Sequence, residues 1–170
     1  KTEAEQLFNE GKLTQAIEAY QAAKSASPQD PSLYVGLARI QVWAGQYEEA
    51  QKNAEYALLL NNTNAMAHAV HAWALDFQDG KNGAALEAID EALKLDPNNA
   101  VIQAYYVEIL VDSGFDNYEK AAEVSRVALA LDPNIVETRR ARGYILNVTR
   151  NYEESIREYR HRGSYRLVRI

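Results

Sequence analysis

"ALKLDPNNA" at residues 92–100 and "ALALDPNIV" at residues 128–136 are nearly one phrase, met twice in a chain of 170 residues. In each, an alanine-leucine run stops at Asp-Pro. The residue before a proline is biased out of the α region, so a helix reaching Asp96 or Asp132 ends there. Pro97 and Pro133 then open the next connection or the first turn of the next helix. The same landmarks continue upstream. Pro28, Asn62, Pro97 and Pro133 are separated by 34, 35 and 36 residues. Five residues before each stands Ala23, Ala57, Ala92 or Ala128, and twelve before each stands Ala16, Ala50, Ala85 or Ala121. Ser155 extends the second series after 34 more residues. The segments "GKLTQA", "GQYEEA", "NYEKA" and "NYEES" lead into those small residues.

Each period reads as a helical hairpin. "GLARIQVWAGQYEEAQKNAEYALLLN" places apolar residues at helical spacing on both sides of Gly45. Gly45 stands where the chain must reverse, a place for a residue that tolerates positive φ. The alanines fall where two helices cross closely, and larger side chains would push the axes apart. One hairpin cannot bury its own apolar face. Stacked neighbours can, and the array becomes a solenoid.

On these residues the chain resembles the tetratricopeptide repeat family, whose pattern runs W-x2-L-G-x2-Y, G-x-Y-x2-A, F/Y-x2-A and P within about 34 residues. The second repeat carries most of the likeness: Tyr34, Leu37, Ala38, Gly45, Tyr47, Ala50, Ala57 and Leu60, with Asn62 in place of the proline. The third is one residue longer and has His68 and His71 where bulky apolar residues are usual. The fourth has two extra residues in "GFDNY". The fifth has Gly143, Tyr152, Ser155, Ile156 and Tyr159, but Arg139 and Arg142 at normally apolar positions. The resemblance implies an all-α, right-handed superhelical solenoid of ten helices in antiparallel hairpins. It places repeats at 1–30, 31–64, 65–99, 100–135 and 136–162 of a single array, with 163–170 as a tail or the start of a further helix. The insertions at 79–83 and 114–117 lengthen turns without breaking the stack.

Composition narrows the function. Without cysteine there is no disulfide framework, thiolate metal site or cysteine nucleophile. The apolar run "AVIQAYYVEILV" is too short and too polar to cross a bilayer, so no membrane span is expected. Beginning at Lys1, the chain reads as an excised piece of a larger protein. The "LDPN" phrases are similar to those of prokaryotic members of the family, and the compartment stays open. Residues 1–134 hold 9 Lys+Arg against 20 Asp+Glu, whereas 135–170 hold 9 arginines against 4 acids. The acidic body disfavours nucleic acid, whose phosphates must be neutralised. The basic last repeat is either a solvated helix or a patch for self-association.

Chemical motifs are sparse. His68 and His71 share a helix face at i and i+3, but no third ligand is evident, so packed, hydrogen-bonded histidines facing a hairpin core are expected rather than a metal site. The pairs Glu48/Glu49, Asp90/Glu91 and Glu153/Glu154 sit beside turns or on outer helices, where solvation is expected. No GxSxG, P-loop or GxGxxG occurs, and no cofactor is expected. "NNT" at 61–63 and "NVT" at 147–149 match the glycosylation pattern, a pattern common by chance.

What remains is surface. The resemblance implies that the first helix of each hairpin lines a concave groove. The corresponding positions are Val35, Arg39, Val42 and Trp43; Met66, Ala69, Val70, Trp73, Asp76 and Phe77; Val101, Ala104, Tyr105, Glu108 and Asp112; Arg140, Tyr144 and Asn147. Trp and Tyr commonly anchor partners. At least one tryptophan is expected to be exposed in the groove, the alternative being that both pack between hairpins. On this reading Trp73→Ala weakens binding more than it destabilises the fold. A lysine-asparagine-arginine clamp for a terminal carboxylate falls at Lys1, Glu5, Gly36, Met66 and Val70, where only Lys1 fits. The expectation is a non-catalytic scaffold for a peptide segment or helix of a protein partner. The alternatives are a structural or self-associating stretch of a longer solenoid, or the recruiting domain of a larger enzyme.

Overall fold

The computed structural model describes residues 2–160. Lys1, and with it the one fitting clamp position, lies outside the described residues. So does the expected tail at 163–170.

The described residues form ten α-helices and no strand: α1 Thr2–Asn9, α2 Leu13–Ala26, α3 Pro31–Trp43, α4 Tyr47–Leu60, α5 Ala65–Asp76, α6 Asn82–Leu95, α7 Ala100–Asp112, α8 Tyr118–Leu131, α9 Val136–Val148 and α10 Tyr152–Arg160. The chain is all-α, as the repeat pattern requires. Five consecutive hairpins result. They divide into two compact units, residues 1–95 and 96–170. The sequence pattern gives no sign of this division.

In the first unit α1 packs on α2, α2 on α3, α3 on α4, α4 on α5 and α5 on α6, while α3 also touches α5. In the second unit α7 packs on α8, both pack on α9, and α9 packs on α10. Each stack therefore joins hairpins through neighbouring first helices and through a second helix against the next first helix.

Local chemistry explains the helix ends. Asp30 caps α3 by accepting from the Ser32 amide at 2.9 Å. Asn64 caps α5 through the Ala67 amide at 3.1 Å. Asn99 accepts from Val101 at 3.1 Å and Ile102 at 3.3 Å. Such caps satisfy amides that a helix leaves orphaned. Helices α6 and α8 stop at Leu95 and Leu131, one residue before each Asp-Pro. Within the hairpins, Gly11, Gly45 and Gly80 turn the chain at φ 76, 76 and 74. At the equivalent turn of the last hairpin Arg150 takes φ 64, a conformation that costs a side-chain-bearing residue roughly 1–2 kcal/mol.

The small residues are where the helices meet. Ala16, Ala50, Ala85 and Ala121 have no exposed surface, and neither do Ala57, Ala92 and Ala128. Ser155 is buried too, its hydroxyl donating to the Gly143 carbonyl at 2.8 Å. Two glycines admit aromatic rings. A Cβ on Gly36 would stand 2.5 Å from the Tyr20 ring, and one on Gly143 would stand 2.7 Å from Tyr159.

Candidate functional site

The expected groove positions lie on α3 and α5 in the first unit and on α7 and α9 in the second. In the first unit, burial removes most of them from any surface. Val35, Val42, Ala69, Val70 and Asp76 are buried, and Trp73 has no exposed area. Arg39, Trp43, Met66 and Phe77 are half-buried and keep a face outward. The expectation for Trp73 is corrected here. It fills the interior between α3 and α5, so its loss acts on packing first.

The rings form a connected series. Phe8 at the end of α1 lies 6.1 Å from Trp43, and Trp43 meets Trp73 edge-on at 5.5 Å. Trp73 meets Phe77 edge-on at 5.9 Å, and Phe77 stacks on Tyr47 at 4.5 Å. Tilted and offset pairs of this kind suit the ring quadrupoles. At the other end the Arg39 guanidinium lies 5.1 Å over Phe8. Arg39 also acts on Tyr20, whose hydroxyl is pushed up to about 12 by burial and by Glu5, with Arg39 opposing. Phe8, Tyr20 and Tyr47 are not among the expected site residues. Tyr47 carries a signal, since it is the aromatic residue of the "GQYEEA" turn.

The second unit is polar where the first is aromatic. Tyr105 has no exposed surface, which removes it as an anchor. Glu108 is also buried, and its side chain meets Arg140 at 2.5 Å, the two being 8% and 11% exposed. Tyr144 donates to Asp112. Tyr159 on α10 joins them. Burial first, then the Glu108 carboxylate, push its hydroxyl up to about 12, against the pull of Arg140. Of the expected positions here, Asp112, Arg140 and Tyr144 are half-buried and Asn147 is exposed.

Two further arginines of the basic last repeat are held within the second unit. Arg139 pairs with Glu158 at 2.7 Å and also donates to the Pro133 carbonyl at 2.7 Å. Arg142 donates to the Ser125 hydroxyl at 3.3 Å. Partners 17 and 19 residues away thus account for two arginines at positions where the repeat pattern calls for apolar side chains.

The histidines serve the loop and the neighbouring hairpin instead of their own hairpin's core. His68 Nε2 lies 2.9 Å from the Asn62 carbonyl, and His71 Nε2 lies 3.4 Å from Glu55 on α4. Among the described residues, no group of three or more His, Asp or Glu side chains is placed to hold a metal ion. Burial pushes the His71 pKa below the ordinary imidazole value, while Glu55 pulls the other way. The sign for stability follows. The unfolded chain takes up a proton near pH 6.5 and the folded chain resists until lower pH, so stability is full above that value. It falls as acidification passes through the folded pKa. His71→Gln is expected to flatten the fall in Tm between about pH 7 and about pH 5. An unchanged pH slope in thermal melts would contradict this.

The carboxylate pairs Glu48/Glu49, Asp90/Glu91 and Glu153/Glu154 are all exposed. Lys94 at 2.6 Å holds the Glu91 carboxyl below its usual range. No described helix is long and apolar enough to cross a membrane.

Stacked hairpins with small residues at the crossings define a helical repeat protein. The family model described as tetratricopeptide repeat matches residues 7–74, and the helical hairpins have the fold of tetratricopeptide repeat proteins. The solved structure of TTC0263, a thermophilic TPR protein of Thermus thermophilus, is similar at 22% identity and a TM-score of 0.78, covering 92% of this chain and 84% of that one. YrrB, described as a TPR protein with an unusual peptide-binding site, matches at 19% identity and a TM-score of 0.53, over 91% of this chain and 78% of its own. The human protein O-mannosyl-transferase TMTC1 is 26% identical over 154 residues, which are 85% of this chain and 17% of that protein. The chain thus spans a small part of that relative's length.

Proposed function

We propose that the chain is an interaction scaffold that holds a peptide segment or helix of a protein partner on the first helices of its hairpins. One observation carries the reading: Arg39, Trp43, Met66 and Phe77 keep outward faces on α3 and α5 and at the end of α5, backed by a rigid series of rings. Rigid aromatic side chains give contact area at low entropic cost and commonly dominate interfaces. The fold suits this work in general, and the peptide-binding site named for YrrB is in keeping with it.

The test is affinity capture from extract of source cells with the wild-type chain beside a Trp43→Ala/Phe77→Ala variant of equal helix content. Both replaced rings are half-buried, so this variant separates binding from folding better than any that removes Trp73. A protein retained by the wild type and lost by the variant is the expected result. Equal retention overturns the assignment of the first unit as the contact. A second reading, as the recruiting part of a larger enzyme, draws on the likeness to a stretch of a transferase. Self-association through the last repeat is the weaker reading, because Arg139, Arg140 and Arg142 already have partners within the unit.

A further inference from the structure

We infer that the segment held by the first unit is basic and apolar, and that it docks where Trp43, Tyr47 and Phe77 reach the surface. The inference rests on the scaffold reading and adds the chemistry of the partner. These rings come from the end of α3, the start of α4 and the cap of α5, next to two hairpin turns. Tyr47 and Phe77 lie nearly parallel at 22°, and buried Trp73 bridges Phe77 to Trp43. Side chains locked this way lose little freedom when a partner arrives.

Charge selects the partner. Residues 2–95 carry 13 acidic and 6 basic side chains. Glu48 and Glu49 follow Tyr47 in the chain and Asp79 stands two residues after Phe77, all three exposed. Of the cations near the rings, Lys81 donates to the amide oxygens of Gln51 at 3.1 Å and Gln78 at 2.7 Å, and the Arg39 guanidinium lies over the Phe8 ring. Elsewhere in the unit Lys12 is paired with Glu10 and Lys94 with Glu91. Ring faces carry negative quadrupole potential and attract cations, guanidinium above all because it also stacks. Carboxylates at the rim act in the same sense. An acidic segment meets repulsion from both, whereas an arginine-bearing apolar segment meets attraction on its heads and burial on its stems.

The test uses the full chain and three octapeptides, alternating leucine with arginine, glutamine or glutamate, followed by tryptophan fluorescence and calorimetry. The arginine peptide is expected to bind at least about tenfold more tightly than the other two. The advantage should shrink as salt rises from about 50 to about 500 mM, which shortens the reach of exposed charges. Tyr47→Ala/Phe77→Ala should weaken it at least fivefold. Glu48→Gln/Glu49→Gln should weaken it severalfold at a small loss of thermal stability, since both positions are exposed in the first turn of α4. Tighter binding of the glutamine or glutamate peptide sinks the basic chemistry and leaves the scaffold reading standing. Undiminished binding in both variants places the contact elsewhere and overturns the inference. Failure of all three peptides overturns it too, while the capture experiment decides the scaffold reading independently. Growth in mass with concentration that Glu48→Gln/Glu49→Gln abolishes would make a second copy of the chain the occupant instead.

Discussion

Trp73→Ala is expected to destabilise the first unit by about 3–5 kcal/mol, the range for deleting a fully buried large aromatic side chain. Trp73 has no exposed surface and meets Trp43 and Phe77 edge-on. Its neighbours on α5 are Ala72 and Ala74, also without exposed surface, and neither can grow into the space left behind. Loss of two aromatic contacts adds to loss of burial, each pair being worth about 0.5–1.5 kcal/mol beyond its area. Trp43→Ala, at a half-buried ring, is expected to cost distinctly less. Urea unfolding followed by circular dichroism compares the two, and equal losses would contradict the packing assigned to Trp73. Repeat arrays unfold by neighbouring units, so hydrogen exchange should show the opening concentrated around α3 to α6.

The same tryptophan marks the boundary of what is legible in the sequence. Asp-Pro stops, turn glycines and crossing alanines are set by local sterics, so they can be read from single residues and their spacing. Exposure is set by the neighbouring hairpin. Trp43 closes α3 and stays half-exposed, while Trp73 stands one turn inside α5 and is covered. Both read alike as aromatic residues on the inner side of a first helix. Arg139 and Arg142 look misplaced in a core position until Glu158 and Ser125 are brought to them from α10 and α8. The aromatic side of the site is half visible, since "GQYEEA" shows Tyr47 without showing that Phe77 stacks on it. The polar side is less visible. Glu108 and Arg140 read as separate groove charges, and only the packing of α7 on α9 makes them one buried pair.

That pair supports the second large effect. Arg140→Ala leaves the Glu108 carboxylate, 8% exposed, without its guanidinium. Breaking a buried pair from one side costs about 3–5 kcal/mol, because the remaining charge keeps its desolvation penalty and loses its attraction. The Tyr159 hydroxyl, pushed up to about 12 by burial and by Glu108, stays neutral and supplies no charge to replace the guanidinium. Replacing both members acts differently. Glu108→Leu with Arg140→Met removes two desolvation penalties at once, and such exchanges are often neutral or stabilising by about 1–4 kcal/mol. The double variant is therefore expected to be at least as stable as the wild type, though either single variant is not. A double-mutant cycle in urea should return a coupling of at least about 1 kcal/mol, and additive single losses would show that the two charges act independently. The stable double variant then separates folding from recognition. If it loses the captured partner while keeping its fold, the pair contributes to recognition. If it holds the partner as well as the wild type, the charges of α7 and α9 serve only to fix how those helices sit on each other.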